Sequence, residues 1–485
     1  KTTVWLDDRE IGSDLSLSTP HVYDLGTVEE TGRHVLTVQV DNSMVIDIGE
    51  NSHSVSDHTQ GNWNGIVGKI QLEGRSPVWL EDIRIFPDVQ SKRIQVKALL
   101  RNRTGRQAKG KISLDVNAGP EIPALKSEPI SLNFDTPSDA QEVNLVYSLG
   151  ENAQLWDEFS PAVYHAQLTL GGEVGGQSFA EESDVTFGLR MVSHDGNQLR
   201  INGRKLFLRG TLECAIFPKT GHPPTDVQSW RKVYRAAKAH GLNHLRFHSW
   251  CPPEAAFIAA DEMGVYLQVE AASWPNQSTT LGDGKPVDTW LEAEAKRILA
   301  AYGNHPSFIM MASGNEPGGP NHAAWLTDWV TRRQREDPRR FYTSSSGWPE
   351  LPVNDYHVTP KPRIQAWGQE LDSRINALPP ETRTDYRDFM AEREVPVVAH
   401  EIGEWCVYPN FDEIVKYTGY LKPKNFEIFR DWLVQNYMGD QARDFLMASG
   451  KLQALCYKED IESALRTPTM GGFQLLDLHD FPGQG

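Results

Sequence analysis

Cysteine is scarce: four in 485 residues (Cys214, Cys251, Cys406 and Cys456), with no Cys-x-x-Cys spacing. That excludes a disulfide scaffold, and the ordinary reading of such cysteines is small buried hydrophobes. Long apolar runs are missing as well, since no stretch reaches the ~18 residues a membrane-spanning helix needs. Basic residues number 48 against 65 acidic ones, a net charge of −17, without any long Lys or Arg run. Binding phosphates takes a positive field, so nucleic acid and anionic membrane surfaces are poor partners. No helical histidine pair of the metal-binding kind, no Gly-x-Ser-x-Gly and no glycine-rich phosphate loop occurs. Support is therefore lacking for a catalytic zinc, a serine-hydrolase elbow or nucleotide chemistry, and neither a cofactor nor a metal is expected. Internal repeats and low-complexity linkers are also absent.

What is present is a long chain, 39% hydrophobic, which calls for two or three domains. Up to about residue 190 the sequence consists of short alternating runs between turn residues, such as Arg93-Ile-Gln-Val-Lys-Ala-Leu-Leu and Tyr164-His-Ala-Gln-Leu-Thr-Leu. This is the pattern of β-sandwiches. A break near Phe86-Pro-Asp-Val divides it into residues 1–87, too few strands for a closed sandwich, and residues 88–190, the length of an immunoglobulin-like sandwich. Beyond about residue 200 strands alternate with helices. Eight strands are predicted: at Lys205–Arg209, Asn243–His248, Val265–Glu270, from Phe308, from Phe341, from Asp355, at Val397–Glu401 and at Gly472–Asp477. Residues 191–485 thus read as a (β/α)8 TIM barrel, and the fold class is β-sandwich modules followed by that barrel. The start at Lys1, directly in strand-like sequence, and the end at Gly485 soon after the eighth strand suggest truncation at both ends.

Active sites of such barrels lie at the carboxyl ends of the strands. The residues found there are Arg209, Glu213, Arg246, His248, Glu270, Asn315, Glu316, Tyr356, His357, His400, Glu401 and Asp477. Two of them, Glu316 and Glu401, each end an apolar run, and two carboxylates presented in this way suggest glycoside hydrolysis. One protonates the departing oxygen while the other attacks or stabilises the sugar's reacting carbon. Five tryptophans, Trp250, Trp274, Trp348, Trp367 and Trp405, fall in loops after barrel strands, where flat rings can stack on sugars.

The order of these segments resembles glycoside hydrolase family 2, the group of β-galactosidases, β-glucuronidases and β-mannosidases. The resemblance is carried by Thr186-Phe-Gly-Leu-Arg190 with Leu199–Gly210, by Gly241-Leu-Asn-His-Leu-Arg246, by Asp261–Glu270, and by Asn315-Glu316. It implies that residues 1–87 are part of a sugar-binding-type sandwich. It further implies Glu316 as acid/base, Glu401 as nucleophile, and Asn315 as a partner of the sugar hydroxyl next to the reacting carbon. Arg246 either holds Glu401 ionised or forms a structural ion pair inside the barrel, and Glu404 is a local rival to Glu401. Tyr356 or His357 takes the aromatic position near the nucleophile. His248, Glu270, His400, Trp274, Trp367, Trp405 and Asp477 complete the expected substrate-binding set.

The function so implied is a retaining exo-glycosidase acting on a carbohydrate, with a β-galactoside leading. A β-glucuronide and an α-L-arabinopyranoside are the alternatives, Lys361 and Arg363 being further cations able to meet a sugar carboxylate. A non-catalytic carbohydrate-binding protein on a hydrolase scaffold is the rival class. The resemblance favours a periplasmic or extracellular location and leaves a homo-oligomer open.

Overall fold

The computed structural model describes residues 1–478 except 28–30, 54, 57–62, 64, 120–121, 138, 277, 366–368, 370–371, 380 and 404. The chain opens with strands β1 (Thr2–Leu6), β2 (Arg9–Asp14) and β3 (Leu36–Val40), an antiparallel sheet in the order β2-β1-β3. Seven strands follow: β4 (Val78–Asp88), β5 (Arg93–Asn102), β6 (Ala108–Ala118), β7 (Ile130–Thr136), β8 (Asp139–Ser148), β9 (Tyr164–Val174) and β10 (Gln177–Phe187). They form two sheets, β4-β5-β8 and β10-β9-β6-β7. Alternate side chains, including Ile94, Val96 and Leu100 of β5 and Tyr164, Leu168 and Leu170 of β9, meet in one core. Strand β4 runs across the 87/88 division expected from the Phe86-Pro-Asp-Val break, with Pro87 opposite Ile94 in the ladder. A proline fits there because β4 is an edge strand and need not donate on its outer side.

A small sheet of β11 (Val192–Asp195), β12 (Gln198–Ile201) and β13 (Arg204–Lys205) leads into the barrel. Asn202 and Gly203 both have positive φ, 52° and 78°, and turn the chain back so that Ile201 pairs with Arg204. This hairpin claims Lys205, so the first barrel strand starts later than the apolar pattern predicts. The barrel strands are β14 (Leu208–Glu213), β15 (His244–Phe247), β16 (Tyr266–Glu270), β17 (Phe308–Ala312), β18 (Phe341–Thr343), β19 (His357–Thr359), β20 (Val397–Ile402) and β21 (Gly472–Leu475). Every ladder between them is parallel, in the order β18-β17-β16-β15-β14-β21-β20-β19, and a bridge from Ser346 to Val358 joins the two ends. Leu199, Ile201 and Leu206 pack with Tyr266, Met310, Tyr356 and Val398 as the barrel's floor.

Between the strands run α1 (Val227–Ala239), α2 (Glu254–Met263), α3 (Pro286–Tyr302), α4 (His322–Glu336), α5 (Arg374–Ala377), α6 (Arg387–Ala391), α7 (Lys424–Gln435) and α8 (Ala442–Arg466). Asp226 caps α1, its carboxylate accepting from the Ser229 amide at 2.8 Å. Among the described residues no helix is long and apolar enough to cross a membrane.

Asp460 of α8 is buried, and burial pushes its carboxyl up to about 6 although the Ile364 amide donates to Oδ1 at 3.1 Å. Its ordinary value is 3.8, so the folded state binds the proton more tightly and stability falls as pH rises from about 4 through 6. Asp460→Asn is expected to raise the stability at pH 8 by about 1–3 kcal/mol and to leave that at pH 4 unchanged, measured by denaturant unfolding.

Candidate active site

The two glutamates sit where β17 and β20 end, and both have left-handed backbones, φ 42° at Glu316 and 54° at Glu401. For a residue with a Cβ this costs roughly 1–2 kcal/mol, and it breaks the strict in-out alternation of a strand. At β20 the ladder to β21 shifts register between Ala399 and Ile402. Neighbouring side chains His400 and Glu401 therefore face the same mouth, with His400 Nε2 2.9 Å from Glu401 Oε1.

Glu401 is surrounded by nitrogen donors. Besides His400, its Oε1 has His248 Nε2 at 3.2 Å and Arg246 Nη1 at 3.5 Å. Burial by itself would raise the carboxyl, but His400 and the His248 hydrogen bond outweigh it and hold Glu401 well below the usual carboxylate range. His400 is itself pushed below its ordinary value by burial. Glu401 is therefore ionised at neutral pH.

Glu316 is half-buried and turned towards different partners: Trp274 Nε1 donates to its Oε2 at 2.9 Å and Asn276 Nδ2 at 3.2 Å. A Glu316 oxygen, a His400 nitrogen and a Glu401 oxygen all lie within 4.8 Å of one another. Carboxyl groups this close suit direct attack by one of them, because a pair that activates water between them stands ~6.5–9.5 Å apart. The same three groups could hold a divalent cation, which is the usual alternative use of clustered carboxylates and imidazole.

Arg246 ties the mouth together. It is fully buried, with Nε 2.6 Å from Glu270 Oε1 and Nη2 2.6 Å from Asn315 Oδ1. Ser346 Oγ also donates to Glu270 Oε1 at 2.6 Å. Glu270 Oε1 is thus a buried support for Arg246, while its Oε2 is buried with no partner among the described residues. Asn315 spends its oxygen on Arg246 and His400, while its Nδ2 is buried with no partner among the described residues. That amide has a hydrogen to give to a ligand.

Other expected residues take different places around the site. Tyr356 is buried in the barrel floor, its ring stacked on Phe341. His357, which opens β19 just after it, has Nδ1 3.3 Å from Asn354 Nδ2. Among the described residues neither bonds to Glu401. Trp250 is a core residue, its Nε1 donating to the Glu213 carbonyl at 2.9 Å. Trp348 donates to the Pro317 carbonyl at 3.0 Å, one residue past Glu316. Trp405 is half-buried, its carbonyl taken by Gln453 of α8 at 2.5 Å. Asp477 is half-buried, and its charge helps burial push the Cys214 thiol up. Arg363 donates to the Glu401 carbonyl at 2.8 Å. Trp367 and Glu404 lie outside the described residues.

Sequence reasoning missed His53. It belongs to an irregular stretch with no periodicity, yet it is fully buried against the barrel, with Nε2 2.9 Å from His248 Nδ1. The Trp274 amide fixes this stretch by donating to the Ile48 carbonyl at 2.9 Å and to Ser52 Oγ at 3.0 Å. Gly49 is required at that crossing: its φ is 108°, and a Cβ would fall 1.9 Å from the Trp274 carbonyl oxygen. The Gly in Asp47-Ile-Gly49 was the only cue to a close approach.

Residues 78–190 match the family model for glycosyl hydrolases family 2, and the eight-strand parallel barrel follows them. Over that stretch the chain is similar to members of glycosyl hydrolase family 2. Among curated relatives, a β-galactosidase of Aeromonas hydrophila is 25% identical over 398 residues, 78% of this chain and 37% of that enzyme. The chain thus spans little more than a third of that relative. Among solved family-2 structures, a member from Bacteroides cellulosilyticus aligns with TM-score 0.66 at 14% identity, covering 100% of this chain and 56% of that one. A β-galacturonidase from Eisenbergiella tayi bound to galacturonate aligns with TM-score 0.65 at 15% identity, covering 98% and 77%. These structural likenesses concern the fold.

Proposed function

We propose that this chain carries the active site of a retaining glycosidase of family 2 working by double displacement. Glu401 is the nucleophile: its ionised carboxylate attacks the anomeric carbon and forms a covalent glycosyl-enzyme. Glu316 donates a proton to the leaving oxygen, then as a carboxylate takes one from the incoming water. Asn315 Nδ2 donates to the hydroxyl beside the reacting carbon. Arg246, His248 and His400 keep Glu401 ionised and aimed, and Trp274 and Asn276 orient Glu316. The single observation that carries this reading is the approach of Glu316 and Glu401 oxygens within 4.8 Å, each carboxylate with its own set of donors.

The substrate class is drawn from the relatives, with a terminal β-galactoside first and uronides such as those of the E. tayi enzyme second. Incubation with a panel of 2-deoxy-2-fluoro glycosyl fluorides followed by peptide mass spectrometry tests sugar and nucleophile together. The expected outcome is one sugar trapped on the peptide carrying Glu401 and nowhere else. Labelling at Glu404, or no label from any sugar alongside measurable sugar binding, would favour a different nucleophile or a non-catalytic binding protein respectively.

A further inference from the structure

Three buried side chains outside the reacting pair converge behind His248. A ring nitrogen of His53, a ring nitrogen of His248 and the Cys214 sulfur lie within 4.8 Å of one another. They come from three separate places: the irregular segment before β4, the residue after β14 and the residue after β15. None is more than 4% exposed. We propose that His53, Cys214 and His248 form a binding site for a zinc-class divalent cation, held by two imidazole nitrogens and one thiolate.

The donor set decides the class of ion. Two nitrogens and a sulfur suit Zn²⁺ and its softer neighbours, whereas Mg²⁺ and Ca²⁺ prefer oxygen. Bonds of roughly 2.0–2.1 Å to nitrogen and 2.3 Å to sulfur at tetrahedral angles put such donors about 3.3–3.6 Å apart. The two imidazoles already stand 2.9 Å apart at His53 Nε2 and His248 Nδ1, so the ion replaces that hydrogen bond with a slight opening of the pair. Ring-bound metals also need the far nitrogen of the imidazole anchored. His248 Nε2 lies 3.2 Å from Glu401 Oε1, the carboxylate–histidine–metal order that fixes the tautomer and raises ligand basicity. On binding, Cys214 gives its proton to solvent, and the hydrogen held between the two rings leaves Nε2 of His53 for its Nδ1. Both rings then coordinate as neutral imidazoles. The consequence is mechanical as well as chemical, since the ion joins the segment carrying His53 to the barrel beside the Trp274 crossing. This inference does not depend on the glycosidase reading.

The second cluster, Glu316, His400 and Glu401, has no sulfur, so a sulfur-specific signal separates the two. Titration of the metal-stripped full chain with Co²⁺, read by absorption, supplies one. One equivalent should produce a thiolate-to-cobalt charge-transfer band with the visible bands of a tetrahedral ion, and Zn²⁺ should displace it. Cys251→Ser should keep the band. Cys214→Ser should lose it and bind Zn²⁺ at least about 10–100-fold more weakly. His53→Ala, altered outside the barrel strands, serves as the second variant and should likewise lose the tetrahedral spectrum. Absence of a charge-transfer band from the wild-type chain at millimolar Co²⁺, cobalt bound without a sulfur band, or a band that survives Cys214→Ser would each overturn the proposal.

Discussion

Glu401→Gly is expected to lose turnover of an aryl β-glycoside by roughly 10⁴-fold or more and to regain part of it in azide, releasing the α-glycosyl azide. The stereochemistry follows from which face is opened. Removing the nucleophile leaves a hole on the α-face, a small anion fills it, and one displacement with the acid still in place gives inversion. Glu316→Gly should behave differently. With a leaving group that needs no proton, the glycosyl-enzyme still forms on Glu401 and accumulates, and azide then attacks from the β-face to give the β-glycosyl azide. Product anomers from the two variants, read by NMR, therefore assign the roles independently of how slow each variant is. The same anomer from both, or the α-azide from Glu316→Gly, would reverse or refute the assignment.

Arg246→Met is expected to destabilise the barrel by about 3–5 kcal/mol, because it strands the buried Glu270 carboxylate. Arg246 and Glu270 are both fully buried and 2.6 Å apart, and among the described residues Ser346 and Gln268 are the other donors to that carboxylate. The penalty comes from an uncompensated charge at Glu270, so it should largely vanish in Arg246→Met/Glu270→Gln, where that charge is gone and Glu401 keeps His248 and His400 as donors. Urea unfolding of the four members of this cycle tests the idea. A single variant within 1 kcal/mol of wild type, or a double variant no better than the single, would sink it. Turnover should fall in both variants, since Asn315 and Glu401 lose the guanidinium that links them.

Local sequence carried much of the architecture. Period-two alternation in Arg93–Leu100 and Tyr164–Leu170 marked sandwich strands, and apolar runs ending at Glu270, Glu316 and Glu401 marked barrel strands. The first barrel strand was misplaced because Lys205–Arg209 looks equally apolar whether it ends a hairpin or starts a strand, and only pairing of Arg204 with Ile201 decides. Tyr356 and His357 were both candidates for one role because adjacent strand residues are interchangeable in sequence. In the fold they part, one packed in the floor and the other beside Asn354.

By itself the sequence determined the element types, the family resemblance and two carboxylates at strand ends, since each depends on residues within one short run. Tertiary structure decided what those carboxylates touch. Arg246 reaches Glu401 across 155 positions and His248 reaches His53 across 195, contacts that exist only once eight strands close and an irregular segment folds over the mouth. The left-handed turns at Glu316 and Glu401 then swing both carboxylates inward, a strain that barrel packing can impose and that no local pattern announces.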